Sequence, residues 1–385
     1  MGIFEVNNKN TLYKNSTNIF VVKVASRCNL ACSYCYMYFK EDQLWRKQPK
    51  FISRETVIHF SLRLKEHLER NPREKIMICL HGGEPLLYPD LDFFLQIITE
   101  TIGKDNVVFS IQTNGTIIDE KRINLLHKYN VKIGVSMDGI KAIHDKTRVT
   151  HDGMGTYDSI ISNIEKLRLK VPNLLGSVLQ VINPQIDPKE MLDTLESYRI
   201  PRSDLLFPDL NHDTKDNRNK GQESIGQWLI EVFDLWSERN ETVHIRLFST
   251  IIQLLLGVEE GTDLLGAYSK GVLMIETDGT YHIYDGLKTS YEGAGHLNYG
   301  VSDYPIHYAE KTTLAIAYRE KASMACEKCL SCNLFAVCGG GNVLQRYSKE
   351  NGFDNPSVYC TDLMMIINHI KTFLELKTTN LRLVC

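Results

Sequence analysis

Cys28, Cys32 and Cys35 stand at spacings of four and three within RCNLACSYCYMYFK, directly behind the apolar run IFVVKVA. Three thiolates from one loop can hold three corners of a four-iron cube and leave the fourth iron open to the nitrogen and carboxylate of an amino acid. Zinc is the competing occupant, because a catalytic zinc also keeps an open position, but its usual short pair is C-x2-C and no nearby His completes the set. Buried structural thiols are the plain alternative. A second set lies far along the chain, where CEKCLSCNLFAVCGGGN supplies Cys326, Cys329, Cys332 and Cys338, and NPSVYC adds Cys360. Ten cysteines clustered in this way, in 385 residues whose N-terminus MGIFEVNNKNTLYKN lacks a secretory apolar region, point to metal chemistry rather than disulfides.

The elements that must position these loops follow from periodicity. Between residues 19 and 208, short apolar runs (IFVVKVA, KIMICLH, NVVFSIQ, VKIGVSM, LLGSVLQVI, DLLFPD) alternate with amphipathic stretches, which reads as about six βα units on a mainly parallel sheet. The polar stretch at 211–224 is a loop or a boundary. ESIGQWLIEVFDLWSERN and IRLFSTIIQLLLG then form a helical bridge. GVLMIETDGTYHIYDGL is two strands turning at Asp278-Gly279, and CTDLMMIINHIKTFLELK is a closing helix. The expected division is 1–210, 211–270 and 271–385. Net charge is −3 with no block of like charge, and no apolar stretch reaches membrane-spanning length. A cytoplasmic monomer that binds neither nucleic acid nor membrane is expected.

The CxxxCxxC triplet, with Tyr34 before its third cysteine, resembles the signature of the radical S-adenosylmethionine (SAM) enzymes. HGGEP at 81–85, SIQTNGT at 110–116, VSMDG at 135–139 and HDKTR at 144–148 resemble that family's later motifs in the expected order. The resemblance implies a partial (β/α)6 barrel with its chemistry at the C-terminal strand ends, the side on which open α/β folds bind ligands in any case. It also implies that Gly82, Gly83 and Glu84 hold the SAM amino group, that Ser136 meets the ribose or carboxylate, and that Arg148 pairs with the carboxylate. Thr113 and Asn114 lie nearby. Cys79 reads as a buried small hydrophobe and Cys385 as a free thiol.

The second cysteine set resembles the SPASM extension. By that resemblance Cys329, Cys332, Cys338 and Cys360 ligate an auxiliary 4Fe-4S cluster. Cys326/Cys329/Cys332/Cys338 is a rival set, and a structural zinc ribbon is the plain alternative. A full SPASM domain holds two auxiliary clusters, but Asn342 and Tyr284 occupy two of the positions where it has cysteines. The expectation is therefore two clusters in total and SAM. Asp285 follows Tyr284 as the acid follows the cysteine in the family motif, where it accepts a substrate proton. Asp209, His212 and Asp213 fall at the sixth strand end and are further candidates.

SPASM-bearing members mostly modify peptides, which implies a ribosomally made precursor peptide as substrate and a one-electron reductant such as flavodoxin or ferredoxin. TDGTYHIYDGLKTSYEGAG and CGGGNVLQRYSKENGFDNPSVYC resemble the maturases that form three-residue cyclophanes, joining an aromatic ring carbon to the β-carbon of a residue two positions on. The stretch before IFVVKVA is too short for a leader-binding domain, so leader recognition falls to the bridge, the SPASM region or a separate protein. Formylglycine formation and thioether formation are the alternatives, the first disfavoured by the missing auxiliary cysteines. A non-catalytic electron carrier or peptide scaffold is the alternative from another class.

Overall fold

A computed structural model describes residues 16–384 except 73–74, 216–223, 240–242 and 270. The N-terminal stretch before residue 16, most of the polar 211–224 stretch, and Cys385 lie outside the described residues.

Six strands, β1 (Ile19–Ala25), β2 (Ile76–Gly82), β3 (Val107–Thr113), β4 (Lys132–Ser136), β5 (Leu175–Val181) and β6 (Arg202–Leu206), pair in parallel in that order. Between them run the helices α1 (Arg54–Arg70), α2 (Leu91–Ile102), α3 (Glu120–Lys128), α4 (Lys141–Thr147), α5 (Tyr157–Lys170) and α6 (Pro188–Ser197). Their starts are written in the sequence: the Ser53 hydroxyl accepts the Thr56 N–H, and Asp119 and Asp187 cap α3 and α6 in the same way. Phe20, Val22 and Val24 of β1 are completely buried against Phe60 and Leu64 of α1, the layer that gives the barrel its core. This is the partial (β/α)6 barrel.

The sheet does not stop there. β7 (His244–Ile245) extends it beyond β6, just ahead of α8 (Arg246–Leu255) and after α7 (Ile225–Glu238). The paired dipeptides β8 (Glu260–Gly261) and β9 (Tyr268–Ser269) stand apart. At the other edge β10 (Val272–Ile275) runs parallel to β1, and the hairpin of β11 (Thr280–His282) and β12 (His296–Gly300) continues outward. Gly279, with φ +88°, makes the turn between β10 and β11. One ten-stranded sheet thus carries the barrel and the root of the C-terminal SPASM-like region.

That region continues through the short helices α9 (Ile306–Glu310), α10 (Thr313–Arg319), α11 (Glu327–Leu330) and α12 (Phe335–Cys338), and ends in α13 (Cys360–Val384). α13 lies against α7, with the rings of Phe233 and Phe373 at 5.2 Å. No helix among the described residues is long and apolar enough to cross a membrane.

Candidate functional site

The cysteine loop leaves the end of β1 and is pinned there by the end of β2. The Gly83 N–H donates to the Ala25 carbonyl at 2.8 Å and the Glu84 N–H to the Arg27 carbonyl at 3.0 Å. Gly82 has φ +129°, and a Cβ on it would lie 2.0 Å from the Ala25 oxygen; one on Gly83 would lie 2.3 Å from the Arg27 oxygen. The two glycines are therefore what lets strand and loop touch. Glu84 is fully buried, and it accepts from the Thr113 hydroxyl (2.7 Å), the Asn114 N–H (2.7 Å) and the Leu86 N–H (3.0 Å). Burial lifts its pKa, and those three donors pull it back. Its carboxylate fastens β2 to β3, while Gly82, Gly83, Thr113 and Asn114 form the wall of the cavity beside it.

That cavity, about 380 Å³, opens at the C-terminal strand ends and is lined by Cys28, Cys32 and Cys35. Burial pushes the Cys28 thiol up to about 12 and the Cys35 thiol up to about 11; it also raises Cys32, with Arg148 as the main opposing charge. Thiols so placed need cations nearby to become thiolates, and iron would supply them. Among the described residues no three His, Cys, Asp or Glu side chains converge as the ligands of a single ion would. Beside the triplet, Arg148 Nη1 donates to the Tyr34 hydroxyl at 2.5 Å, and Tyr34 donates to Asp138 Oδ2 at 2.5 Å. Arg148 is 9% exposed, and its Nε is buried with no hydrogen-bond partner among the described residues. A buried guanidinium with a donor to spare, next to three thiols, suits a carboxylate. Ser136 takes the Gln112 amide at 2.8 Å in the same wall. The donor set and the glycine cradle fit a cluster and an amino-acid-bearing cofactor.

The three acids expected to do proton chemistry part company. Asp209 is half-buried in the cavity wall, where burial pushes its carboxyl up to about 6, Lys40 opposing and Asp263 and Asp285 adding to the rise. Asp285 is buried behind that wall in an ion pair with Lys23, which also holds Glu276 at 2.7 Å; Lys288 holds Glu276 at 2.9 Å. Tyr36, whose hydroxyl donates to Asp285 at 3.3 Å, links it to the cavity, and Lys23 does so through Met37 Sδ at 3.4 Å. Asp213 is exposed and outside the cavity, contrary to expectation. The Asn211 side chain accepts the N–H groups of Asp213 and Thr214, and this tight turn sends Asp213 outward to accept the Lys349 N–H at 3.0 Å. His212 likewise faces the Pro356 carbonyl, at 2.8 Å.

Sequence reasoning passes over Lys23 and Asp138, and reads Tyr36 as a packing residue, whereas its hydroxyl meets Asp285. The available signal for Lys23 was a single charge within an apolar strand, IFVVKVA. For Asp138 it was the acid of VSMDG, whose other oxygen accepts the Val181 N–H at 3.1 Å.

The second cysteine set is gathered by short helical turns. The Cys329 N–H donates to the Cys326 carbonyl (2.9 Å) and the Cys332 N–H to the Cys329 carbonyl (3.1 Å). Cys326 and Cys329 are buried; Cys332, Cys338 and Cys360 are partly so. Burial, then a hydrogen bond with Cys326, pushes Cys329 up to about 12, and Cys360 senses Cys332 and Cys326. All five thiols therefore share one neighbourhood. Tyr284 and Asn342 do not join them. The Asn342 amide donates to the Tyr284 hydroxyl at 2.7 Å and to Asp263 at 3.1 Å, and this polar trio lines the cavity.

Residues 22–198 match the family model described as the Radical SAM superfamily. The cysteine-type anaerobic sulfatase-maturating enzyme of Clostridium novyi (strain NT) is 26% identical over 370 residues, covering 90% of this chain and 92% of that one. Among solved structures, native anSMEcpe with bound AdoMet and Cp18Cys peptide superposes with a TM-score of 0.76 at 20% identity, covering 94% of this chain and 99% of that one. Streptococcus suis SuiB bound to precursor peptide SuiA gives a TM-score of 0.57 at 15% identity, covering 90% and 76%.

Proposed function

We propose that this chain, whose residues 22–198 match the Radical SAM superfamily model, is a peptide maturase that joins a side-chain β-carbon of a ribosomally made precursor to a nearby aromatic ring. The observation that carries the reading is the trio Tyr284, Asn342 and Asp263. At two positions where a full SPASM domain has cysteines, the chain has a hydroxyl and an amide tied to a carboxylate, which leaves this end of the cavity to substrate.

In this reading Cys28, Cys32 and Cys35 hold one 4Fe-4S cluster, and Cys329, Cys332, Cys338 and Cys360 hold a second. With SAM and an electron from a flavodoxin- or ferredoxin-type donor, a cluster held there would supply one-electron chemistry able to take a hydrogen atom from an unactivated C–H bond. Arg148 and Ser136 orient the cofactor's carboxylate and ribose, and Gly82, Gly83, Thr113 and Asn114 wall its amino end. The apolar flank of Leu179, Leu205, Phe207 and Leu264 receives the peptide side chains and keeps water out. Forming the new C–C bond removes two hydrogens from the peptide: one leaves as an atom, the other as a proton and an electron. Asp209, in the wall and ionised above about pH 6, is placed to take the proton.

A second reading, formylglycine formation, is favoured by the similarity that runs along nearly the whole length of the Clostridium novyi relative. The two separate when the protein is co-expressed with short peptides encoded beside it and the products are sequenced by mass spectrometry. Loss of two hydrogens, with fragmentation blocked between an aromatic residue and its neighbour, supports crosslinking. An aldehyde that reacts with a hydrazide supports the second reading, and an unchanged peptide despite SAM cleavage sinks both. Iron analysis of the reconstituted protein is expected to give about eight irons per chain; about twelve would contradict the roles given to Asn342 and Tyr284.

A further inference from the structure

Two cations are sealed into the C-terminal region, and among the described residues no carboxylate is hydrogen-bonded to either. Arg346 is 0% exposed. It is clasped by three successive carbonyls: its Nε donates to Gly340 O at 2.9 Å, and its Nη2 to Gly339 O at 2.5 Å and to Gly341 O at 3.3 Å. All three glycines have positive φ (61°, 77° and 72°), and a Cβ on Gly340 would lie 2.7 Å from Arg346 Nη2. The GGG of CGGGN is thus a collar shaped around this guanidinium. Carbonyls cannot neutralise it, however, and its Nη1 is buried with no hydrogen-bond partner among the described residues. The ionisable groups acting on it are Cys329, Cys338 and Cys326. Lys321 is also 0% exposed, and its Nζ likewise has no hydrogen-bond partner among the described residues. The charges acting on it are those of Asp263, in the cavity wall, then Arg346 and Cys338.

An unpaired buried ammonium costs several kcal/mol, and a guanidinium cannot escape by losing its proton. Two of them side by side repel as well. An anion beside them would offset both charges, and the ionisable groups acting on both cations include the cysteine thiols. An iron-sulfur cube on four thiolates is a net anion whose charge becomes more negative on reduction.

We propose that Lys321 and Arg346 are the fixed counter-charges of the auxiliary 4Fe-4S cluster, positioning residues that hold its reduction potential up so that it can accept the electron released by the peptide radical. The inference rests on the two-cluster reading above. Reduction adds one negative charge beside two cations in a region of low dielectric, so each cation favours the reduced form. Lys321 feels both Asp263, in the cavity wall, and Cys338, so its charge bears on the cavity as well as on the cysteines.

The test uses full-length protein carrying Cys28→Ala, Cys32→Ala and Cys35→Ala, reconstituted with iron and sulfide, so that only the auxiliary cluster gives an electron paramagnetic resonance signal. Lys321→Met is expected to make its reduction at least tenfold less favourable, about 59 mV more negative for one electron, while Lys321→Arg stays near the parent. Loss of the cluster in Lys321→Met but not in Lys321→Arg would carry the same meaning. An unchanged potential in Lys321→Met at full iron content, or equal cluster loss in both variants, overturns the inference. Absence of iron from the parent protein overturns instead the two-cluster reading on which it stands.

Discussion

Asp209→Asn is expected to cut modified peptide per SAM cleaved by roughly 10²- to 10⁴-fold, the range for loss of a positioned general base, while cleavage of SAM itself continues. Asn keeps the size and polarity of the side chain and removes only its capacity to take a proton. Asp209 lines the cavity and sits at about pKa 6 because burial raises it more than Lys40 lowers it. Its basic form therefore grows as pH rises through about 6, and product yield in the parent protein should climb across that window. The Asn variant should lack the climb. The stability linkage has the opposite sense: a carboxyl whose folded pKa lies above its ordinary 3.8 favours the folded state less as pH rises from about 4 to about 6. Asp209→Asn should accordingly not weaken folding at neutral pH. A flat profile in the parent, or full product from the variant, would move proton acceptance to the Tyr36–Asp285 pair.

The contrast between these two acids shows where sequence reading reaches and where it stops. The loop from Cys28 to Cys35, the glycines at 82 and 83 and the turn at Gly279 were legible because each is a local pattern with a local cause. Thiol spacing, close backbone approach and positive φ need only a few neighbouring residues. β1 falls on IFVVKVA for the same reason. Lys23 was illegible because its partners, Glu276 and Asp285, stand 253 and 262 residues further on and reach it only when β10 lies down beside β1. No periodicity announces that parallel pairing. Asp213 looked equivalent to Asp209 by position, and a single side chain, Asn211, turned it to the outside. Arg346 sat unremarked behind CGGGN, since nothing in a run of three glycines says which cation their carbonyls will face.

Lys23→Met should be the most destabilising single change in this network, by about 3–5 kcal/mol, the usual range for removing one partner of a buried pair. Lys23 has no exposed surface and joins two carboxylates, Glu276 and Asp285, each about as buried. Methionine fills much of the same volume, so the loss reflects charge rather than a cavity. Asp285→Asn should cost less, because Lys23 keeps Glu276, and combining it with Lys23→Met should recover part of the loss by removing the carboxylate left without its cation. Glu276 supplies an independent check. Burial alone would raise its pKa, but Lys23 and Lys288 outweigh burial and hold it well below the usual carboxylate range. Its stabilising contribution is complete above its ordinary 4.5 and fades as pH falls below that value. The gap in urea midpoint between parent and Lys23→Met should therefore be widest at neutral pH and narrow in acid. A gap that persists unchanged to pH 3 would mean that Lys23 supports the sheet through packing, and that Asp285 is held in place by something other than this charge.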